Sequence, residues 1–579
     1  MPDFSINPAE NAAKEALNHL YSCLDKNQSF VLEAGAGAGK TYSLINALQY
    51  LISQRGARLV RNHQQIACIT FTNIAKNEID ARTDRHPAIR SDTIHGFCWS
   101  LLKDMQPYLR NLLPSLKKWP EVIEEAGGLN AQSIDYDLGF LRLDDKVASI
   151  RHDDVIDLMI ELLKQPKFRR LMIARYPIIF IDEYQDTHAG FVEALKAHYL
   201  DTGKGPLIGF FGDEWQKIYG DGCGKIAHDK LIMIGKKANF RSVNAIVTPL
   251  NRMRPDLTQN VKDPDAAGEA IIFHSNQWSG QRQSRNHWKG DVSPDAAHAY
   301  LQYTRSALEK SEWDFSPEKT KILMLTHNLL AKEQGYQGIV SAFSNNDAFI
   351  KKEDPHILYL VDVIEPACSA FEAKRYGEMF TALGRGAPPI GSLAEKIAWS
   401  DAFSKLIEIR KAGTIGQVID YLRNCSILKL PEKVEDRERN FAKLPPDPQD
   451  DEPSWVTSLR KLRAIPYTEI VELDRFIDGQ TPFATKHGVK GAEFENVLVV
   501  IGRGWNQYNF EQMLCLFSNN DVPPDKQDAF VRNRNLFYVA CSRPKRRLAI
   551  LFTQELSELA LNTLSNWFGS SAIHALPNL

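Results

Sequence analysis

Residues 34–41 read Ala34-Gly35-Ala36-Gly37-Ala38-Gly39-Lys40-Thr41. A run of such small residues lets successive backbone N–H groups turn inward onto an anion. A helix starting where the run ends adds a positive dipole end. Lysine at Lys40 then reaches the terminal phosphates of a nucleotide, and the Thr41 hydroxyl holds Mg²⁺. The pattern's first glycine is replaced by Ala34. The plain alternative is a glycine-rich turn with a chance lysine. Against it stand a short apolar strand before the loop, Phe30-Val31-Leu32, and a helical stripe after it at Leu44, Ile45, Leu48, Leu51 and Ile52.

A second chemical group follows the apolar run Ile178-Ile179-Phe180-Ile181, which delivers Asp182 and Glu183 at its end. Adjacent acids beyond a buried strand suit metal-assisted hydrolysis. Asp182 holds Mg²⁺ through water, and Glu183 polarises the attacking water. Acids commonly follow strands, so this pair alone is weak; together with the loop at Lys40 it predicts ATP and Mg²⁺ as cofactors.

These residues need a framework. The chain has 579 residues, 43% hydrophobic and 25% charged, with a formal net charge of −2. That usage is globular, and the length suggests about four folding units. The balance excludes a uniformly basic nucleic-acid coat but leaves room for a local basic groove. No apolar run is long enough to span a bilayer. The polar start Met1-Pro2-Asp3-Phe4-Ser5 is no signal peptide, and the eight scattered cysteines lack a Cys-x-x-Cys pair. A cytoplasmic location is expected. Asn7, Pro8 and Glu10 sign the start of a first helix. Further strand candidates are Ala67–Thr70, Leu207–Phe211, Ile322–Leu325, Val497–Val500 and Leu548–Phe552. Continuous apolar runs alternating with helical stretches predict an α/β fold with parallel sheets covered on both faces. The strands fall into two groups, hence two cores, and long helical stretches interrupt each.

The string Asp182-Glu183-Tyr184-Gln185-Asp186-Thr187 resembles the second carboxylate motif of the UvrD/Rep-like superfamily 1 helicases. Their other motifs follow in order. Ile69-Thr70-Phe71-Thr72-Asn73 and Thr93-Ile94-His95-Gly96-Phe97-Cys98 resemble segments that touch single-stranded DNA. Gly212-Asp213-Glu214-Trp215-Gln216-Lys217-Ile218-Tyr219 resembles the motif whose glutamine links the γ-phosphate to DNA. Asn239-Phe240-Arg241-Ser242, Thr485-Lys486-His487 through Glu493-Phe494, and Tyr538 through Arg543 resemble the motifs of the second half.

The resemblance implies two RecA-like cores of P-loop NTPase type, each interrupted by a mainly helical insertion. The expected first core is 1–97 and 166–250, with 98–165 inserted. The expected second core is 251–330 and 476–579, with 331–475 inserted. Lys40, Asp182, Glu183, Gln216, Arg241 and Arg543 are then catalytic, Ala34 through Thr41 and Glu493 bind nucleotide, and Thr41 and Asp182 hold Mg²⁺. Phe71, Thr72, Asn73, Thr93, His95, Tyr219, Thr485 and His487 face DNA. Outside their motifs His95 and His487 read as ordinary buried histidines, and Phe71 reads equally as core. The implied activity is ATP-dependent translocation or unwinding on single-stranded or tailed duplex DNA, 3′→5′.

The chain departs from the family pattern in places. Glu10 and Asn11 stand where an adenine-reading glutamine is usual, and Gly220-Asp221-Gly222-Cys223 replaces an aromatic residue and an arginine. Arg532, Asn533 and Arg534 stand where an acid is expected, and Pro544 directly follows Arg543. Nothing after Phe552 resembles a nuclease. The compact size and last motif resemble helicase subunits that accompany an OLD-family Toprim nuclease in Gabija-type antiviral defence. That gives the alternative of a DNA-sensing ATPase regulatory subunit with little unwinding of its own. The stretch from Trp278 to Lys289 reads as a solvated loop or a single-strand contact, and Arg543 through Arg547 as one motif arginine leading into a solvated turn.

Overall fold

A computed structural model describes the chain except residues 1–6, 137–141, 218–219, 221, 285–287, 325–332, 344–346, 351, 385–389, 426, 449–451, 478–482, 485–492, 504–507 and 520. The strands of the first half are β1 (Phe30–Ala34), β2 (Ile66–Thr70), β3 (Ile89–Thr93), β4 (Ser133–Tyr136), β5 (Arg142–Leu143), β6 (Val147–Ile150), β7 (Ile178–Asp182), β8 (Leu207–Gly212) and β9 (Ile232–Lys236). Six form a sheet in the order β3-β2-β7-β8-β1-β9, all pairs parallel. Parallel strands buried on both faces need apolar side chains on both, which is why these runs do not alternate with polar residues. Val31, Ile179, Ile181, Ile208 and Phe210 point to one face, where they pack with Leu109, Trp119, Leu158 and Met159. Phe30, Leu32, Phe180 and Phe211 point to the other, against Leu44, Leu48 and Leu51.

β10 (Ala238–Asn239) and β11 (Asn260–Val261) pair with each other. The second sheet uses β12 (Glu269–His274), β13 (Thr320–Met324), β14 (Phe483–Ala484), β15 (Phe494–Ile501), β16 (Pro544–Phe552) and β17 (Ile573–Ala575). Its order is β14-β13-β15-β16-β12-β17, again parallel throughout. The fold is therefore α/β with two parallel sheets, as the apolar runs require. One face of the second sheet is covered by residues of the long helical stretch, among them Ile357, Leu360, Phe403 and Leu473.

The structure revises three expectations. The helix Asn244–Met253, which the expected boundary at 250 would split, buries Ile246, Leu250 and Met253 with Ile272, Val497 and Ile550 of the second sheet. The stretch 98–165, expected to be helical, is not wholly so, since β4, β6 and β5 form a small sheet within it. Residues 544–547 are no solvated turn; they open strand β16, and Lys545, Arg546 and Arg547 pair with Glu493, Glu495 and Glu269. Elsewhere the local signals hold. Asn7 caps the helix Pro8–Asp25 by accepting from the Glu10 N–H at 2.9 Å. All eight cysteines are free thiols. Among the described residues no helix is long and apolar enough to cross a membrane.

Candidate functional site

β1 ends at Ala34 and the helix Lys40–Leu51 begins at Lys40, so the intervening loop lies at the carboxyl edge of the first sheet. Gly37 and Gly39 have φ of 73° and 72°, a left-handed backbone that glycine adopts without strain. A Cβ on Gly37 would also sit 2.7 Å from the Asn239 Oδ1 atom. The helix N-terminus aims its free N–H groups at the loop. Lys40 reaches across to Glu183, Nζ to Oε2 3.3 Å.

Asp182 closes β7 and is 5% exposed. The next residue, Glu183, has φ 49° and ψ 47°. That conformation costs a non-glycine residue on the order of 1 kcal/mol, and such strain concentrates at functional sites. Lys40 and the Gln185 amide, which donates to Glu183 Oε2 at 2.5 Å, hold the carboxylate there. Gln185 is fully buried and also accepts from the Asp213 N–H at 3.0 Å.

Asp213, after β8, organises the next layer. Its Oδ2 accepts from Gln216 Nε2 at 2.8 Å, and its Oδ1 accepts from the Trp215 N–H at 3.0 Å. Gln216 Oε1 in turn accepts from Arg543 Nη2 at 3.4 Å. Arg543 is 1% exposed; burial pushes its guanidinium down to about 9, and the neighbouring Arg241 adds to the drop. It stays protonated at neutral pH. Pro544 ends the helix Gln527–Cys541 and starts β16, which places Arg543 in the corner between them.

Arg241 approaches from the same side. Its Nε donates to Glu493 Oε1 at 3.2 Å and its Nη1 to the Ser542 carbonyl at 3.0 Å. Burial raises the Glu493 carboxyl, but Arg241 and Lys545 outweigh it and hold the group below its ordinary value. The segment bearing Arg241 stitches the two sheets together. Asn239 Nδ2 donates to Ala36 O at 3.0 Å, the Phe240 N–H to Gly37 O at 2.9 Å, and the Val243 N–H to Lys545 O at 2.9 Å.

Lys40, Glu183, Gln216, Arg241, Arg543 and Glu493 thus converge on one cleft, at the carboxyl edge of the first sheet. The residues fit a Mg²⁺–nucleoside triphosphate. Small residues line the loop, one cation sits at the helix start, two more face it, and Asp182 and Thr41 offer hard oxygen donors. Several contributors are not singled out in the sequence. Lys236 is fully buried and donates to Gly39 O at 3.0 Å and Ser43 Oγ at 2.7 Å; burial pushes it down to about 8. Arg254 pairs with Glu33 at 2.8 Å and Asp213 at 2.5 Å. A glutamate inside the buried strand β1 was the one visible sign of that network.

The expected DNA-facing residues lie at the ends of β2 and β3. Thr72 and Thr93 are helix N-caps, accepting from the Ala75 and Gly96 N–H groups at 3.2 Å each. Phe71 is 41% exposed and therefore not core, and Ile74 beside it is 80% exposed. Asn73 is exposed as well. His95 is only partly buried; its ring lies 4.5 Å from that of His152, whose Nδ1 meets the Tyr136 hydroxyl. Burial, then His152, pushes His95 down to about 4. Tyr219, Thr485 and His487 lie outside the described residues. In the stretch from Trp278, Arg282 is tied to the carbonyls of Ser275, Gly290 and Thr553. The Arg282 guanidinium is thus held by backbone carbonyls.

Residues 13–125 and 140–221 match the model of the UvrD/REP helicase N-terminal domain. Over 94% of its length the chain is 24% identical to the Gabija protein GajB of Bacillus cereus (strain HuB5-5), covering 96% of that protein. It is 22% identical to the ATP-dependent DNA helicase PcrA of Staphylococcus epidermidis over 49% of this chain and 42% of that one. The first half of the chain is thus similar to the UvrD/REP helicase N-terminal domain, and nearly its whole length is similar to a Gabija protein.

Proposed function

We propose that the chain is a DNA-stimulated ATPase that moves along single-stranded DNA, 3′→5′, and can separate strands. The single observation that carries this reading is the meeting of Gln216 from the first sheet with Arg543 from the second across one cleft. Phosphoryl transfer is mainly positioning and charge stabilisation. In this reading the loop N–H groups and Lys40 hold the phosphates, and Thr41 and Asp182 hold Mg²⁺. When bound, the metal–nucleotide supplies the phosphoanhydride and neutralises its developing charge. Glu183 orients the attacking water and accepts its proton. Arg241 and Arg543 stabilise negative charge on the transferred group, and Glu493 faces the ribose. Because these groups come from two cores, the state of the nucleotide governs their separation. Two contact points on DNA, one per core, then shift relative to each other with each turnover. The assignment of 98–165 and 331–475 as insertions belongs to this reading.

A second reading is favoured by the similarity to the Gabija protein GajB along nearly the full chain. Here the chain is the DNA-sensing ATPase subunit of an antiviral complex, and an OLD-family Toprim nuclease partner does the cutting. The short, non-aromatic Gly220-Asp221-Gly222-Cys223 segment supports it, because a lost base-stacking platform weakens strand grip by about 1–3 kcal/mol.

Steady-state ATPase with and without single-stranded DNA, followed by strand displacement from a 3′-tailed duplex, separates the two. Stimulation with displacement supports the helicase. Stimulation without displacement supports the subunit. No hydrolysis above the Lys40→Ala background defeats both.

A further inference from the structure

Arg254 stands where the chain leaves the helix Asn244–Met253, whose apolar face is buried on the second sheet. Its guanidinium nevertheless lies in the first core, and the residue is 1% exposed. Nη1 donates to Asp213 Oδ1 at 2.5 Å and Nη2 to Glu33 Oε1 at 2.8 Å. The guanidinium carbon is 5.4 Å from the centre of the Trp215 ring. Tyr538, in the last turn of the helix that leads to Arg543, packs edge-on against the same ring at 5.3 Å.

Asp213 connects this arginine to the cleft. It holds the Gln216 amide nitrogen through Oδ2. An amide held by its nitrogen must present its oxygen on the other side, and there Oε1 meets Arg543. The rotamer of Gln216 therefore depends on where the Asp213 carboxylate points. That carboxylate and Glu33 share one guanidinium in a dry site. Without the cation two like charges would face each other unscreened, and one would protonate or turn away. The raised pKa of Glu33, caused first by burial and then by Asp213, reflects that pressure.

We propose that Arg254 is a positioning residue for phosphate cleavage: carried by the second core, it fixes Asp213 and through it the orientation of Gln216, so that the glutamine is set only while the two cores are closed. Its hydrogen bonds go to Asp213 and Glu33 and not to the residues of the loop at Lys40, so it acts through Asp213. The inference rests on the ATPase reading above and adds a link between core closure and the glutamine.

The test is a double-mutant cycle on the full chain, with ATPase followed at saturating single-stranded DNA. R254Q is expected to lower kcat at least tenfold while KM for ATP stays within about threefold, the pattern of an interaction made in the transition state. R254K, which keeps the charge, should recover part of the loss. In a Q216A background R254Q should cost less than threefold more, because its route of action is already gone. A kcat loss below tenfold, a rise in KM with kcat unchanged, or an equal loss in both backgrounds overturns the proposal. Should R254Q melt early, R254K is measured in the same two backgrounds. A loss confined to the Gln216 background supports the proposal; no loss, or equal losses, overturns it. Wild-type turnover no greater than that of K40A would instead defeat the ATPase reading itself.

Discussion

Two buried arginines, Arg254 and Arg410, carry the same chemistry in two regions of the molecule. Arg410 is 8% exposed and binds Glu365 through both oxygens at 2.8 and 2.5 Å, with Glu372 at 3.0 Å. All three sit on helices of one stretch, Glu365–Glu372 and Leu393–Ala412. His356, Glu438 and Arg463 join other helices of the same stretch, with Arg463 reaching on to Asp420. Arg254 instead joins Glu33 and Asp213 of one core to a helix packed on the other. A buried ion pair is weak evidence of stability, because desolvation offsets most of its attraction. Its value lies in specifying geometry. Within one helical stretch that geometry is static. Across two cores it reports whether they are together.

The largest effects should come from the cleft. Lys40→Ala, Glu183→Gln and Arg543→Ala are each expected to cut ATP turnover about a thousandfold, roughly 4 kcal/mol of barrier. Steady-state hydrolysis checks this, and turnover within tenfold of wild type would falsify the assignment.

Arg410→Ala sharpens the contrast from the other side. It should lower unfolding free energy by about 3 kcal/mol, because it leaves the Glu365 carboxylate buried without its guanidinium. The turnover number per folded molecule should stay within twofold. Urea unfolding and ATPase on one sample measure both; a large kcat loss at full folding would erase the distinction between the two arginines.

The strand-end surface comes next. Phe71→Ala should weaken single-stranded DNA binding about tenfold, in line with roughly 1–3 kcal/mol per stacked base. Fluorescence anisotropy with an oligonucleotide reads it, and unchanged affinity would remove Phe71 from the interface. The same titrations at rising salt should show a steep fall in affinity if several phosphates are contacted.

The smallest effect concerns His95. The imidazole protonates near 6.5 unfolded and is pushed down to about 4 folded, so the native state binds fewer protons between those values. Its contribution is complete above about 6.5 and is lost as pH falls toward 4. Between pH 7 and 5 stability should drop by about 1 kcal/mol on this account, less than the full shift implies because the ring is partly solvated. His95→Asn should flatten that part of the profile; identical profiles for the two proteins would contradict it.

Much of this was legible in local sequence. Strands β1, β2, β7, β8, β15 and β16 announce themselves because a strand buried on both faces must be apolar throughout. β3, reading Ile89-Arg90-Ser91-Asp92-Thr93, escaped notice because it is an edge strand with polar positions that face other groups. β9, β14 and β17 stand at the other three sheet edges, and β14 and β17 are only two and three residues long.

The nucleotide cleft divides along a similar line. Lys40, Thr41, Asp182 and Glu183 can be read from the chain because each follows its own strand at a fixed spacing, and backbone geometry then sets where the side chain goes. The glycines at Gly37 and Gly39 belong to the same local logic through their left-handed backbone angles, although at Gly37 the approach of Asn239 demands glycine as well. Arg254 and Glu33 could not be paired that way, nor could the helix Asn244–Met253 be given to the second sheet. A helix shows which face is apolar but not which of two sheets will cover it. A charge shows that it needs a partner but not which distant carboxylate will be buried beside it. Short-range spacing determined the chemistry of the loop and the acids, while the pairing of charges across the cleft was decided only when two separately folded surfaces met and excluded water between them.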